Sequence, residues 1–193
     1  MALTFINPHP IFNTNKVLAI IFKQTQTTNI ETKTIGNFVF ILDQDQVVGV
    51  NVFNYAKYFR VQKGLHSVTN AIKTHLLKHY NHLVQDRDFQ PLLKIGQIIT
   101  ISKHPNNDRL RVLEVKMNDK PRQIVTNLAN LQEKQHYLFA CDGATLANGL
   151  VITTTKVMGV ISEGMIVSYE ALGIRQSGLV DCTAYQIKDQ FKF

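Results

Sequence analysis

Three histidines in the first half of the chain have a spacing that could bring imidazole groups together. His75, His79 and His82 are separated by four and three residues, so on a helix they fall on one side and could share a metal ion. No carboxylate or cysteine completes such a set, and His79 falls within the apolar stripe of the predicted helix. Packing roles are therefore favoured over a metal site, and a metal-dependent enzyme is the weakest functional hypothesis.

The sequence lacks the common motifs of catalysis. It contains no glycine-rich phosphate loop and no Gly-x-Ser-x-Gly segment, and no spacing of Ser, His and Asp singles out a nucleophile and its base. Cys141 and Cys182 have no neighbouring cysteine, so we expect free thiols in a cytosolic protein. We predict that the protein is not an enzyme, binds no metal and needs no cofactor.

The charge balance indicates the kind of partner. The 193 residues include 21 Lys and Arg against 14 Asp and Glu, which gives a net charge of +7. This surplus favours an anionic partner, because Lys and Arg neutralise phosphates and release condensed counterions. The apolar runs are strand-sized and the amino terminus lacks a signal-peptide pattern, so we expect a cytoplasmic protein without membrane contact.

The elements that must position these side chains fall into two halves, separated by the polar residues 85–91 that end in a proline. In the first half, β-branched and aromatic runs predict strands at residues 16–22, 37–42 and 47–53. Apolar residues then recur at helical spacing, which predicts a helix from an N-cap at Ser67 to about Val84. We therefore predict an α+β domain of unknown function at residues 1–90.

The second half has the pattern of a succession of strands. These are predicted at residues 94–103, 110–117, 122–126, 135–140 and 150–156. One brief helix fits between the third and fourth strands, at residues 128–133. Five strands interrupted in this way form the layout of an OB-fold, a small barrel that binds oligonucleotides on one face. We predict an all-β OB-fold barrel with one short helix at residues 91–193.

Four segments of the second half have the order and spacing of a known family. Their sequences are KHPNNDRL at 103–110, QIVTN at 123–127, GATL at 143–146 and KVMGVISEGMIVS at 156–168. Together they resemble the tRNA-binding domain family, an OB-fold module of bacterial phenylalanyl-tRNA synthetase β subunits and of free-standing tRNA-binding proteins. The resemblance is strongest over residues 93–174, and with its leading domain the chain resembles the YtpR-like bacterial group.

The resemblance implies that the second half binds tRNA or a similarly structured RNA, mainly by shape and phosphate contacts. A folded tRNA presents closely spaced phosphates and 2′-hydroxyls, so a barrel face needs cations at its rim and neutral donors between them. The candidate cations are Lys103, Arg109, Arg111, Arg122 and Lys156. The candidate neutral contacts are Asn127, Asn130, Ser162 and Met165, the last two on the Ser-x-Gly-Met segment that the family uses for tRNA contact.

Two alternatives stay open at this point. A protein-interaction module could have kept the OB scaffold and lost most RNA affinity, because function resides in sites rather than in folds. The first half could add an RNA contact, a homodimer interface or a site for a protein partner. Salt-dependent binding of total tRNA separates the RNA-binding hypothesis from the protein-interaction module. Metal analysis of the purified protein tests the hypothesis of a metal-dependent enzyme.

Overall fold

The computed structural model describes residues 3–6, 17–23, 29–61, 64–189 and 191. The chain divides into two compact units, Met1–Pro91 and Leu92–Lys192, apart from the last residue. That each unit folds as an independent domain stays a prediction. No helix among the described residues is long and apolar enough to cross a membrane.

The first unit consists of an antiparallel six-stranded sheet and one helix, in the strand order β3-β4-β5-β2-β1-β6. The strands are β1 Leu3–Ile6, β2 Val17–Ile21, β3 Ile30–Ile35, β4 Phe38–Asp43, β5 Gln46–Phe53 and β6 Gly64–Ser67. The strands predicted at 16–22, 37–42 and 47–53 are thus formed as β2, β4 and β5, although residue 16 lies outside the described residues.

Helix α1, Asn70–Val84, begins two residues later than its predicted cap implies. Its N-cap is Thr69, whose Oγ1 accepts a hydrogen bond from the Ile72 backbone N–H at 3.4 Å. The predicted cap at Ser67 is wrong because Ser67 is the last residue of β6 and pairs with β1. Ile72 and Leu76 are buried in the same apolar cluster as β4 and β5, so packing on the sheet stabilises the helix.

The second unit is built on an antiparallel five-stranded sheet of order β13-β10-β7-β8-β9. Its strands are β7 Leu93–His104, β8 Asn107–Lys116, β9 Arg122–Thr126, β10 His136–Cys141 and β13 Gly164–Ile166. A separate hairpin is formed by β11 Thr155–Val157 and β12 Val160–Ser162. The core of the sheet includes Ile98, Leu113, Ile124, Phe139 and Ile166, which point inward from all five strands.

The two edges of this sheet approach each other, so it forms a nearly closed barrel. The Glu163 backbone N–H, just before β13, donates to the Gln123 carbonyl of β9 at 2.8 Å. In return, the Gln123 N–H donates to the Glu163 carboxylate at 3.1 Å. Gly164 permits the close pairing of β13 with β10 on its other side, because a Cβ at that position would lie 2.5 Å from the Ala140 carbonyl oxygen.

Two predicted elements of the second unit are wrong. Residues 128–133 form no helix, because side chains satisfy their backbone instead: Thr126 Oγ1 accepts from the Leu128 N–H at 3.3 Å, and the Tyr137 hydroxyl accepts from the Gln132 N–H at 3.2 Å. The strand predicted at 150–156 is largely replaced by a loop with one isolated bridge, Thr145 to Val151. Strand pairing there starts at residue 155, and β13 is the fifth strand of the barrel.

Candidate nucleic-acid interface

The turn between β7 and β8 lies against the turn between β11 and β12. His104 is buried at the first turn, where its Nδ1 accepts from the Asn106 N–H at 3.1 Å and its Nε2 donates to the Val157 carbonyl at 3.0 Å. The Asn106 side-chain amide donates to the Met158 carbonyl at 2.9 Å. The Asn107 amide lies 3.2 Å from the Met158 sulfur. Two motif segments that are far apart in the sequence therefore form one assembly.

These bonds hold an unusual backbone conformation at the second turn. Met158 has a φ of 46° and Gly159 a φ of 94°, so both lie in the left-handed region that two-residue hairpin turns require. Glycine adopts this region easily, whereas methionine rarely does. The Met158 side chain is 53% exposed, so its conformation is fixed by the two asparagines rather than by burial.

Three side chains line one end of the barrel. Lys103 pairs with Arg111 and Arg111 pairs with Thr126, so the three lie in a row on one face of the sheet. Leu113, two residues along β8, has the same orientation and is fully buried in the core. Lys103 and Arg111 therefore stand at the rim where the core ends, and Arg109 continues the same face toward the turn.

The predicted RNA contacts at this end of the barrel differ in exposure. Arg111 is half-buried, and its guanidinium donates to the Asp108 and Leu110 carbonyls at 2.8 and 2.9 Å. Lys156 is exposed on β11, directly opposite Ile161 on β12. The exposed Asn127 directly follows the rim residue Thr126, and Asn130 is exposed three residues later.

Arg122 is committed to an ion pair inside the unit. Its side chain is 9% exposed, and its two terminal nitrogens bond to the two carboxylate oxygens of Asp119 at 2.8 and 2.5 Å. Lys94 bonds to the same carboxylate at 2.7 Å. The hydrogen bond from Arg122, with a smaller contribution from Lys94, holds the pKa of Asp119 well below its usual range. We therefore leave Arg122 out of the candidate interface.

Ser162 also has structural partners. It is 5% exposed, and its hydroxyl accepts from the Val125 N–H and donates to the Gly164 carbonyl, each at 3.0 Å. This hydroxyl joins β9 to the segment between β12 and β13. Met165 is half-buried on β13, where it pairs with Ala140 of β10. The Ser-x-Gly-Met segment thus has a structural role in closing the barrel.

The barrel surface near the β7–β8 turn has two shallow depressions. One, of about 540 Å³, is lined by residues 105–109 at the β7–β8 turn and includes Arg109. The other, of about 360 Å³, lies against β7, β8 and β9 and is lined by Ser102, Glu114 and Gln123 among others. Each depression is lined by one carboxylate and one arginine, Asp108 with Arg109 in the first and Glu114 with Arg122 in the second. Arg109 is exposed, whereas Arg122 is buried in its ion pair with Asp119, so the rim and the turn are the better anion surface.

Sequence reasoning did not select Asn106, Asn107 or Ile161 as site residues. Ile161 is 46% exposed, and its carbonyl accepts from the Gln123 side-chain amide at 2.7 Å, which holds the β11–β12 hairpin beside β9. The signal for the two asparagines was their place in the KHPNNDRL segment. No local signal revealed that their partner would be a methionine in another hairpin.

The histidines and cysteines that could bind a metal or act as nucleophiles belong to helix α1 or are buried. No group of three His, Cys, Asp or Glu side chains among the described residues is arranged to hold a metal ion. His75, rather than His79, is the half-buried histidine of α1, and its burial lowers its pKa. Cys141 and Cys182 are free and buried, and burial raises the pKa of Cys182 to about 12.

Comparison with known proteins finds relatives of this chain and a family model that matches its second unit. Residues 93–186 match the sequence profile of a family described as "Putative tRNA binding domain". The chain is also 26% identical over 168 residues to the "Putative tRNA-binding protein YtpR" of Bacillus subtilis, a match that covers 80% of this chain and 82% of that protein. The resemblance predicted from the sequence is confirmed.

Other relatives match a shorter part of the chain. The "Phenylalanine--tRNA ligase beta subunit" of Staphylococcus epidermidis is 37% identical over 83 residues, which are 42% of this chain and 10% of that subunit. The corresponding subunit of Clostridium tetani is 38% identical over 85 residues, 44% of this chain and 11% of the subunit. The chain thus spans about a tenth of these ligase subunits. A crystal structure of a MetRS related protein from Pyrococcus horikoshii aligns with 51% of this chain at 20% identity and a TM-score of 0.38.

Proposed function

We propose that the second unit binds tRNA, or a similarly structured RNA, without catalysing a reaction. The proposed surface is the barrel rim together with the β7–β8 and β11–β12 hairpins. The hydrogen bond from Asn106 to Met158 carries this proposal, because it fixes two cation-bearing hairpins against each other. The names of the family and of the Bacillus subtilis relative support tRNA as the ligand.

The geometry supports an OB-fold mode of binding. The β7–β8 turn and the long connection from β10 to β13 correspond to the loops between strands 1 and 2 and between strands 4 and 5 of an OB-fold, which such barrels use for nucleic acids. Lys103 and Arg109 are exposed on the first hairpin and Lys156 is exposed on the second. Together with the half-buried Arg111, these cations can contact consecutive phosphates of a folded RNA.

Binding without catalysis agrees with the state of the reactive groups. The two thiols are buried, and the Ser162 hydroxyl makes two structural hydrogen bonds. The exposed groups at the rim are cations and amides, which contact phosphates and 2′-hydroxyls without breaking bonds. A tRNA ligand also agrees with the predicted cytoplasmic location.

The test is a titration of the full chain with unfractionated tRNA at several salt concentrations. The double variant Arg109→Ala plus Arg111→Ala should bind more weakly, and the slope of log affinity against log salt should decrease in magnitude by about 0.7 to 0.9 for each phosphate that is no longer neutralised. Arg175→Ala plus Lys188→Ala removes the same charge from exposed positions of the same unit and is the matched control.

An equal change of slope in both double variants would show that net charge, rather than the rim, determines binding. Duplex DNA and a single-stranded RNA serve as competitors, and tRNA should be bound most tightly. If the unmodified chain shows no salt-dependent binding of tRNA, the alternative of a protein-interaction module on the same scaffold replaces this proposal.

A further inference from the structure

The first unit carries a series of aromatic rings that leads from its core to its surface. Phe38 of β4 is 1% exposed and stacks on His75 of α1 at 5.4 Å with an interplanar angle of 14°. Tyr58 follows a short 3-10 helix at Tyr55–Lys57, and its ring centroid lies 5.6 Å from that of His75. The ring centroid of His79 lies 4.6 Å from that of His75. We call Tyr58, His75 and His79 the aromatic face.

The aromatic face is held in place by its surroundings. The Tyr58 ring is 38% exposed, yet its hydroxyl accepts from the Asn37 side-chain amide at 3.0 Å. Its ring makes a T-shaped contact with Phe38 at a centroid distance of 5.0 Å, and its backbone N–H donates to the Tyr55 carbonyl at 2.8 Å. An exposed ring fixed in this way can stack on a flat ligand at a low cost in conformational entropy.

The charge around the aromatic face is positive. Helix α1 contains two lysines and three histidines and no acidic residue. Lys57 and Arg60 are exposed on either side of Tyr58 in the sequence. Burial, and then the nearby His79 and Lys78, lower the pKa of His75. The exposed Lys57, Arg60 and Lys78 are available to an anion at this surface.

We propose that the aromatic face is a binding site for single-stranded RNA, in which an unpaired base stacks on Tyr58 while Lys57, Arg60 and Lys78 contact the flanking phosphates. Exposed aromatic rings next to cations are the combination that proteins use for unpaired bases. The three aromatic rings of residues 93–174 are less accessible: Phe139 is fully buried, and the hydroxyls of the half-buried Tyr137 and Tyr169 bond to backbone N–H groups. The site is independent of the function proposed for the second unit.

The first experiment uses the absence of tryptophan from the chain. Tyr58→Trp places a single tryptophan on the aromatic face of the full chain, and Phe53→Trp places one at a ring that is 43% exposed in the same unit. The probe is a single-stranded oligoadenylate of about 12 nucleotides, compared with an abasic strand of the same length and charge. Oligoadenylate should quench the tryptophan of Tyr58→Trp to saturation, whereas the abasic strand should not, and Phe53→Trp should show no such difference.

The second experiment measures affinity at constant salt. Tyr58→Leu keeps an apolar side chain without the ring and should weaken oligoadenylate binding about 5- to 150-fold, the range typical of one stacked base, whereas Tyr58→Phe should retain binding. Equal affinity of the wild-type chain for oligoadenylate and the abasic strand would overturn the site, and so would unchanged binding by Tyr58→Leu. If Tyr58→Leu does not fold, the quenching titration of Tyr58→Trp tests the site by itself, and equal quenching by oligoadenylate and the abasic strand would overturn it.

The two proposals can fail separately. The triple variant Tyr58→Trp, Arg109→Ala, Arg111→Ala should keep the quenching by oligoadenylate, while its tRNA binding becomes weaker and less dependent on salt. Loss of the quenching in this variant would contradict an independent site in the first unit.

Discussion

Asn106 donates a hydrogen bond from its side-chain amide to the carbonyl oxygen of Met158, 2.9 Å away, across 52 positions of the sequence. The bond connects the turns of two hairpins, and it is reinforced by the contact of His104 with Val157. Met158 occupies a left-handed conformation that methionine rarely adopts. The arrangement of the candidate RNA surface therefore depends on a residue that carries no charge.

Asn106→Ala should loosen the β11–β12 hairpin while the barrel stays folded. Loss of one exposed hydrogen bond, at about 0.5 to 1.5 kcal/mol, should speed amide exchange at residues 157–160 by about 2- to 12-fold. Hydrogen exchange followed by mass spectrometry measures this, and tRNA affinity should decrease in parallel. Asn118→Ala, at another exposed turn, is the control and should leave exchange at 157–160 unchanged.

Asp119 should make the stability of the second unit sensitive to acid. Arg122, and then Lys94, lower its pKa in the folded protein, so the ion pair stabilises the fold above the unfolded pKa of about 3.9 and this contribution is lost as the pH falls below it. Urea unfolding at about pH 6 and about pH 3 should show a smaller loss of stability for Asp119→Asn than for the wild type. Asp108→Asn, at the exposed hairpin turn, should keep the wild-type loss, and equal losses in all three proteins would contradict the prediction.

Ser162→Ala should reduce stability rather than RNA contact. The substitution leaves the Val125 N–H without its partner, so the free energy of unfolding should decrease by about 1 to 3 kcal/mol. The RNA affinity of the folded protein should stay close to the wild-type value. Ser177→Ala at an exposed loop is the control. A variant that melts normally but binds tRNA weakly would restore Ser162 to the interface.

The two thiols should be protected in the native protein. Burial raises the pKa of Cys182 to about 12 and also raises the pKa of Cys141, so little thiolate is present at neutral pH. Labelling with a disulfide reagent should be more than about 100-fold slower in the native protein than in denaturant. Fast labelling of one thiol without denaturant would show that its part of the unit opens readily.

The sequence by itself predicted one helix, the resemblance to the family and part of the strands, namely β2, β4, β5 and β7 to β10. It did not predict β13, which completes the barrel. Strand β9 matches its predicted range of 122–126, because its alternation of buried and exposed residues is a local property of the chain. The start of α1 was predicted wrongly because Ser67 and Thr69 are both suitable caps. Pairing of Ser67 with β1, a strand far away in the sequence, decides between them.

The roles of individual polar residues were decided by the tertiary structure. Arg109 and Arg122 are the same residue type in the same matched segment, yet Arg109 is exposed at the rim and Arg122 is buried against Asp119. A sequence shows which side chains can donate hydrogen bonds, but whether a donor meets RNA or an internal acceptor depends on which distant strand packs beside it. For the same reason the joining of Asn106 to Met158 had no local signal, since it exists only once two hairpins from separate parts of the chain have come together.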